Sequence, residues 1–292
     1  MESESVFVEA NGIKFHCVTA GEGPLCLCLH GFPETHHSWR NQVPLLASAF
    51  KVVVPDMRGY GRTDAPRRVA DYRLPILMKD VKGLIEAFGY KEAVIVSHDW
   101  GAVVAVHYAE TYPETVSKLV WANALHLVDY YEMVFKRRDI RQMLKSWYVT
   151  MNQVPGLTEY LAPLGNFYML ERLLKLYAVR KEAFTPEVME QWKVTLRQSG
   201  LRGGVNYYRA GLWAFREVAA GRLKSGRIEC PVKVIWGETD KALETELGYV
   251  IEAHVDGEFD FHLIERCGHW VQQEAPEEFN EQLADFLDIK TT

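Results

Sequence analysis

The 292-residue chain is poor in the features that mark several classes of protein. It has five cysteines, an odd number with no C-x-x-C pair, which argues against a disulfide framework. Cys26 and Cys28 lie two positions apart in a strand-like run, so they share a face rather than form a bridge. We therefore expect reduced, structural thiols in a cytoplasmic protein.

Long apolar runs and a strong positive charge are also missing. No uninterrupted apolar stretch approaches the roughly 20 residues that cross a bilayer, and the acidic start, MESESVFVEA, lacks the pattern of a secretory signal. The net charge of −6 argues against nucleic-acid binding, because nothing offsets the repulsion from phosphates. The dense basic stretch 136–138 is short and precedes Asp139, so we interpret it as a solvated helix face. We expect neither nucleic acid nor a membrane as a partner.

Strand-like and helix-like segments alternate along much of the chain. A hairpin is predicted around the turn Asn11-Gly12. Helical spacing of apolar residues marks 74–88 and 102–112. Short apolar, strand-like runs occupy 25–29, 51–54, 92–96, 117–122, 231–237 and 259–265. This alternation predicts an α/β fold with a mostly parallel sheet covered by helices on both faces.

The alternation stops between about Val128 and Leu223, where the pattern is helical throughout. The simplest interpretation is a core domain over 1–127 and 225–292, interrupted by a helical lid over 128–224. We expect this lid to lie over the carboxyl ends of the strands, where open α/β sheets bind ligands.

The sharpest local motif is AVIVSHDWGAVVAV, in which a buried strand turns through Asp99 into a helix. Its form, small-x-nucleophile-x-Gly, is that of the nucleophile elbow of α/β-hydrolases. Asp replaces the usual Ser, and Ser97 replaces the first Gly. The alternative is an ordinary strand–loop–helix with Asp99 as a helix N-cap.

An elbow needs an acid and a histidine later in the chain, in that order. Asp240 follows the strand KVIWG, and His269 follows the strand FHLIE. Asp240 would hold the imidazole in one orientation and tautomer, which leaves the other nitrogen to act as a base. The neighbours His36 and His37 could be imagined as metal ligands, but adjacent loop residues rarely point at one ion, so we predict no metal site.

A third segment, LCLCLHGFPE, places a loop directly after a buried strand. In this fold that loop supplies one N–H of the oxyanion hole, and the residue after the nucleophile supplies the other. The predicted donors are therefore Phe32 and Trp100. His30, Pro33 and Trp270 are further candidates for the wall of an apolar substrate pocket.

An aspartate nucleophile limits the choice of substrate. A carboxylate that attacks a saturated carbon forms an ester, and a His-activated water can hydrolyse that ester. A serine in the same position would be trapped as an ether. Asp99 therefore points towards cleavage of carbon–oxygen or carbon–halogen bonds.

Taken together, these motifs resemble the α/β-hydrolase superfamily and, within it, the soluble epoxide hydrolases. The resemblance covers nearly the whole chain and rests on HGFPE (30–34), DMRGYGRTDAP (56–66), SHDWGA (97–102), GETD (237–240) and GHW (268–270). It implies hydrolysis of a small apolar epoxide by water, with no cofactor, in a monomer or homodimer. HDWG is shared with haloalkane dehalogenases, so this motif does not separate the two families.

Residues of the lid distinguish epoxide hydrolases from haloalkane dehalogenases. Soluble epoxide hydrolases have two lid tyrosines, one five residues before the Gln of a Gln-x-Pro phrase and one in an Asn-x-Tyr-Arg phrase. The matching residues here are Tyr148, before Gln153, and Tyr208, in NYYR. A neutral phenol is a suitable donor to the oxygen of an opening epoxide.

Two other functions stay open at this level. A haloalkane dehalogenase would hold the halide with two N–H donors; Trp100 could be one, but Phe32 occupies the usual place of the second. Fluoroacetate dehalogenases carry Arg where this chain has Trp100. A ligand receptor with the same fold and without turnover is the alternative from a different class.

Overall fold

Eight strands form a single sheet in the computed structural model, which describes residues 3–290. The order across the sheet is β1-β2-β4-β3-β5-β6-β7-β8. The pairs β1–β2 and β2–β4 are antiparallel, and the remaining neighbours are parallel. The strands are β1 (Glu4–Ala10), β2 (Ile13–Ala20), β3 (Leu25–Leu29), β4 (Lys51–Pro55), β5 (Ala93–His98), β6 (Val116–Ala122), β7 (Val232–Gly237) and β8 (Phe259–Ile264).

Thirteen α-helices accompany the strands within the described part of the chain. Those that pack on the sheet are α1 (Val43–Leu46), α2 (Leu74–Ala87), α3 (Trp100–Thr111), α11 (Glu246–Tyr249), α12 (Val271–Glu274) and α13 (Pro276–Phe286). Those between β6 and β7 are α4 (Leu127–Tyr131), α5 (Ile140–Lys145), α6 (Trp147–Gln153), α7 (Leu157–Leu161), α8 (Leu164–Tyr177), α9 (Pro186–Ser199) and α10 (Arg202–Ala219). This is the α/β-hydrolase arrangement that the sequence predicts.

The central strands are apolar along their whole length because helices cover both faces of the sheet. In β3, Leu25, Leu27 and Leu29 pack into one apolar cluster. Cys26 and Cys28 pack into the cluster on the opposite face, so the two thiols share a face as their spacing predicts.

The segment between β6 and β7 contains helices and no strand, and we call residues 128–224 the lid. Lid residues such as Leu170 and Trp192 belong to the same apolar cluster as Leu27 and Ile95 of the sheet. The lid is therefore docked on the core by a shared hydrophobic interior. No helix within residues 3–290 is both long and apolar enough to cross a membrane.

Candidate active site

Asp99 stands in the tight turn between β5 and α3, at the carboxyl edge of the sheet. Its φ of 49° and ψ of −124° lie outside the regions that non-glycine residues ordinarily adopt. Ser97, two residues before Asp99, is buried, and its hydroxyl donates to the Val120 carbonyl at 2.8 Å. A strained backbone held this firmly is typical of a functional elbow, in which the turn presents the side chain to a cavity.

The loop after β3 contacts the Asp99 carboxylate directly. The Phe32 N–H donates to Asp99 Oδ1 at 2.7 Å. Gly31 leaves the space for that carboxylate, since a Cβ at this position would lie 2.2 Å from Oδ1. The predicted oxyanion-hole donor Phe32 is therefore in contact with Oδ1 of the carboxylate. The other carboxylate oxygen, Oδ2, does not accept this hydrogen bond.

His269 lies between the two carboxylates. Its Nδ1 is 2.8 Å from Asp240 Oδ2, and its Nε2 is 3.6 Å from Asp99 Oδ2. Asp240 also accepts the N–H groups of Ala242 and Leu243 on Oδ1. The three side chains that chain order suggested thus meet in one arrangement, with Nε2 of His269 directed towards the elbow.

Asn123, directly after β6, contacts the site and was not predicted from the sequence. Its Nδ2 donates to Asp240 Oδ2 at 2.7 Å, and its Oδ1 accepts the Gly237 N–H at 2.9 Å. The side chain is fully buried, and the backbone has a φ of 35°. Asn tolerates this conformation better than most residues, and an Asn after an apolar strand in this fold was the available clue.

The charges around His269 set its protonation state. Burial alone would lower its pKa, but Asp240 and Asp99 outweigh burial and raise the pKa to about 10. For Asp240, burial acts to raise the pKa, but His269, Asn123 and the Ala242 N–H hold it below the usual value. The free site therefore holds an imidazolium between two carboxylates at neutral pH.

A second buried ion pair, Glu34 with His98, lies beneath the site and was also missed. His98 places Nδ1 2.8 Å from Glu34 Oε2 and Nε2 2.8 Å from the His269 carbonyl oxygen. The His98 ring thus bridges the Glu34 side chain and the backbone of His269. Burial would raise the pKa of Glu34, but His98, His30 and the Gly31 N–H lower it to about 2. Gln272 and Gln273 donate to the other Glu34 oxygen. The network ties the backbone of His269 to the His-Gly loop.

Tyr148 on α6 and Tyr208 on α10 lie above Asp99. Their rings meet edge to face with centroids 5.8 Å apart, and both line two cavities that also include Asp99. Burial raises the pKa of both phenols well above the usual value, and the Asp99 charge acts in the same direction. Both hydroxyls are therefore neutral and can donate a hydrogen bond.

The residues around the two tyrosines fasten their helices together. Gln153 Nε2 donates to the Tyr208 carbonyl at 3.1 Å, and Arg209 Nε donates to the Asn152 carbonyl at 3.0 Å. Arg209 also forms an ion pair with Glu159, with 2.6 Å between Nη1 and Oε1. The Gln and Arg of the two tyrosine phrases thus fix the relative position of α6 and α10.

Two apolar cavities meet at Asp99. The first, of about 60 Å³, is walled by Phe32, Pro33, Leu174 and Trp270 among others, and it includes His269. The second, of about 40 Å³, is walled by Trp100, Val103, Leu127 and Phe215. Their walls suit the body of an apolar molecule, with few polar groups available to fix its orientation.

His30 lies outside the pocket for which it was predicted, and the predicted role of Trp100 stays a prediction. His30 is fully buried outside the cavity walls, where Nδ1 bonds the Gly31 carbonyl and Nε2 accepts the Met57 N–H. It supports the loop instead of lining the pocket, because both ring nitrogens are already bonded to the backbone. Within residues 3–290, the Trp100 N–H forms no hydrogen bond with Asp99, so its role as the second oxyanion-hole donor stays a prediction. The Trp100 indole packs on Tyr208 with ring centroids 5.2 Å apart.

Three groups of histidines and carboxylates elsewhere are close enough to consider for a metal. They are His16, His36 and Asp56; His107, Glu110 and His126; and His126, Asp129 and His254. In each group the nitrogens lie 2.7–3.2 Å from the carboxylate oxygens. Ligands bound to Zn²⁺ at about 2.1 Å in a tetrahedron stand farther apart, roughly 3.4 Å, so these contacts fit ion pairs better. His36 pairs with Asp56, and His37 is in none of the groups.

Comparison with known proteins identifies the family. Residues 24–276 match the family described as alpha/beta hydrolase fold. The chain is 34% identical over 293 residues to epoxide hydrolase 4 of Homo sapiens, covering 98% of this chain and 79% of that protein. It is 35% identical over 286 residues to epoxide hydrolase 3 of Mus musculus, covering 96% and 75%.

Solved structures of epoxide hydrolases also match this chain. A variant of an epoxide hydrolase from Bacillus megaterium, complexed with its naphthyloxy-propanediol product, superposes with a TM-score of 0.88. Its sequence identity is 29%, and the match covers 97% of this chain and all of that one. The chain belongs to the α/β-hydrolase fold family and, within it, to the epoxide hydrolases.

Proposed function

We propose that this protein hydrolyses apolar epoxides to vicinal diols through a covalent ester on Asp99. The observation that carries the proposal is the arrangement of three side chains: the Asp99 carboxylate faces the same cavities as the neutral phenols of Tyr148 and Tyr208. A nucleophile for carbon and two donors for oxygen are what the opening of a three-membered ether requires.

In the first step, Asp99 Oδ2 attacks one ring carbon. Oδ1 keeps the Phe32 N–H and becomes the ester carbonyl oxygen. The carbon–oxygen bond of the ring breaks, and the released alkoxide takes a proton from Tyr148 or Tyr208. No base is needed, because a carboxylate carries no proton to remove.

In the second step, water cleaves the ester. Esterification removes the negative charge of Asp99, which is one of the two groups that raise the pKa of His269. The pKa of His269 therefore falls, and its proton passes to the tyrosinate left by ring opening, so that Nε2 can accept a proton from water. The resulting hydroxide attacks Cγ of Asp99, and the Phe32 N–H stabilises the oxyanion. The bond between Cγ and the ester oxygen then breaks, the departing alkoxide takes the proton of the new carboxyl group, and the diol leaves behind the Asp99 carboxylate and a protonated His269.

Haloalkane dehalogenation is the second candidate, and it uses the same nucleophile. A halide would need two N–H donors in the cavity. The Trp100 indole lines the second cavity, but the Trp270 Nε1–H donates to the Leu174 carbonyl at 3.0 Å and is not available. The two phenols serve an alkoxide better than a halide, so we favour the epoxide.

The substrate we propose is small and apolar. The Bacillus megaterium relative is described with an aryloxy-propanediol product. By analogy, styrene oxide, aryl glycidyl ethers and alkyl epoxides, tested beside chloro- and bromoalkanes, form the first panel. We expect diol from the epoxides and no free halide from the haloalkanes.

His269→Gln tests the mechanism. This variant should consume about one equivalent of epoxide and then stall, because the first step needs no base and the second does. Intact mass should rise by the mass of one substrate, with the adduct on the peptide that contains Asp99.

Asp99→Ala is the matched control, and it should show neither turnover nor adduct. An alternative mechanism, in which His-activated water attacks the epoxide directly, predicts no adduct in His269→Gln and residual diol formation in Asp99→Ala. That second pattern would falsify the nucleophile assignment.

A further inference from the structure

Asn152 is a buried amide in the wall of an otherwise apolar cavity. It lines the first cavity beside Met151, Leu170 and Leu173, and the residue is only 2% exposed. A primary amide that is removed from water and left without a partner costs on the order of 1–3 kcal/mol. Such a residue in a substrate cavity calls for an explanation beyond packing.

One end of this amide is fixed by the protein. The Thr158 hydroxyl, itself buried, donates to Asn152 Oδ1 at 2.7 Å. Within residues 3–290 no hydrogen bond is formed by Asn152 Nδ2. The N–H groups are therefore the free end of the amide, and both Asn152 and Thr158 belong to the cavity wall.

The helix places this donor close to the reacting centre. Tyr148 and Asn152 are four residues apart on α6, so their side chains lie on the same face, one turn and roughly 6 Å apart along the axis. Both line the first cavity with Asp99. A substrate whose oxirane oxygen meets Tyr148 would therefore extend an arm past Asn152.

We propose that Asn152 is a specificity-determining residue that selects epoxides whose arm carries a hydrogen-bond acceptor, such as an ether or carbonyl oxygen. The proposal rests on the proposed function, since it concerns the arm of the same epoxide. An all-carbon arm displaces the water that would otherwise pair with Nδ2 and leaves the N–H groups unpaired. An ether oxygen in the same place accepts the hydrogen bond from Nδ2. Because an ether oxygen carries no hydrogen, it cannot instead donate to a carbonyl oxygen of the protein.

The test uses matched pairs of terminal epoxides. In one member of each pair, the arm carries an ether oxygen that is separated from the ring carbon by one, two or three carbon atoms. In the other member, CH₂ replaces that oxygen. Phenyl glycidyl ether and 1,2-epoxy-4-phenylbutane are one such pair. The measured quantity is the ratio of kcat/KM for the oxygen member to that for the carbon member.

Asn152→Leu replaces the amide by an apolar group of similar size, and the ratio in this variant is compared with that of the parent. The comparison cancels the intrinsic reactivity of each epoxide. We expect the ratio to fall by about tenfold for at least one oxygen position. We also expect the carbon member to be turned over faster by the variant, a gain that a merely structural role would not produce.

Three further variants keep the outcome decisive. Asn152→Asp retains the Thr158 hydrogen bond but replaces the N–H donor by an acceptor, and it should lower the ratio as well. Asn152→Leu combined with Thr158→Val removes both polar groups, should Asn152→Leu fold poorly. Met151→Leu, a change of shape beside Asn152, should leave the ratio within about twofold.

The inference fails if no pair changes its ratio by more than about twofold in the Asn152 variants, or if Met151→Leu changes it equally. A parent protein that turns over none of these epoxides would instead defeat the proposed function itself. The two failures are therefore distinguishable.

Discussion

At the scale of single residues, the proposed function depends on the hydroxyls of Tyr148 and Tyr208. Both rings are held by aromatic neighbours: Tyr208 packs on Phe32 at 5.3 Å and on Trp100 at 5.2 Å. Because both phenols are neutral and share the cavities of Asp99, each can donate to the same oxygen. Either one can then partly replace the other.

Tyr148→Phe and Tyr208→Phe should each slow ester formation in a single-turnover experiment, and the double variant should nearly abolish it. A hydrogen bond that strengthens in the transition state is worth on the order of 2–4 kcal/mol, by analogy with oxyanion-hole donors. Tyr168→Phe, at an exposed lid position, is the control and should behave as the parent. Parent-like ring opening by the double variant would rule out the tyrosines as donors.

The triad could be predicted from sequence because chain order and strand ends restrict it. Asp99, Asp240 and His269 each follow an apolar run, and the fold brings the ends of parallel strands to one edge. The support of the triad could not be predicted in the same way. Asn123 and Glu34 act through contacts with residues 117 and 64 positions away, and nothing local marks such pairings.

At the scale of elements, His107, His126 and His254 form a largely buried histidine network at the start of the lid. His126 precedes α4, with Nε2 3.2 Å from Glu110 of α3 and Nδ1 2.8 Å from Asp129 of α4. The Asp129 contact is an ion pair that is poorly aligned with the ring N–H. His254 Nε2 reaches the same Asp129 oxygen at 2.7 Å, and the His107 ring packs against His126 in a tilted arrangement with centroids 4.4 Å apart. The start of the lid is thus joined to two core elements by charge.

This network predicts a pH dependence of stability. Burial alone would lower the pKa of His126, but Asp129 and Glu110 outweigh it and raise the pKa to about 9. A histidine whose pKa is raised on folding contributes its full stabilisation below the unfolded value of about 6.5 and loses it as the pH rises through 9. We expect the free energy of unfolding to fall by on the order of 2–3 kcal/mol between pH 6.5 and 9.5 from this group.

Urea unfolding of the parent and of His126→Gln, from pH 6 to 10, measures that contribution. The difference in free energy of unfolding between the two proteins should shrink as the pH rises. His262→Gln, a change outside this network, should show a constant difference. A constant difference for His126→Gln as well would contradict the assignment.

The elements themselves were largely predictable, and their errors have a physical origin. The six predicted runs match β3 to β8 within two residues at each end, because buried parallel strands are apolar without interruption. The lid was predicted as helical, but the bounds of its helices were not. The segment between β6 and β7 contains seven α-helices of five to 18 residues. Residues 165–167 have positive φ inside α8, a break that the sequence pattern does not show. The histidine network at the start of the lid was not predicted, because isolated histidines follow no periodic pattern in the sequence.

At the scale of the whole molecule, the motif DMRGYG, residues 56–61, docks the lid. A Cβ at Gly203, at the start of α10, would lie 2.1 Å from the Gly59 carbonyl oxygen. The Tyr207 hydroxyl donates to the Arg58 carbonyl at 3.1 Å in the same contact. The backbones of lid and core therefore touch, and the same helix carries Tyr208 five residues later. This explains a motif that the sequence analysis used for resemblance but for which it gave no role.

Gly203→Ala should consequently disturb stability and activity together. The added methyl group meets backbone, which cannot rotate away, so α10 must shift; overpacking of this kind costs about 1–3 kcal/mol. Gly83→Ala is the matched control, since its Cβ would meet the Ala10 side chain and the Asn11 backbone nitrogen no closer than 3.2 Å, an overlap that a shift of a few tenths of an ångström relieves.

Because one apolar cluster runs through sheet and lid, we expect far-UV circular dichroism and tryptophan fluorescence to report a single, coincident urea transition in both variants. In Gly203→Ala that transition should move to lower urea, and ester formation should slow as Tyr208 shifts away from Asp99. A separate lid transition would mean that the cluster is divided at the Gly59–Gly203 contact, and that the lid positions its tyrosines independently of the core.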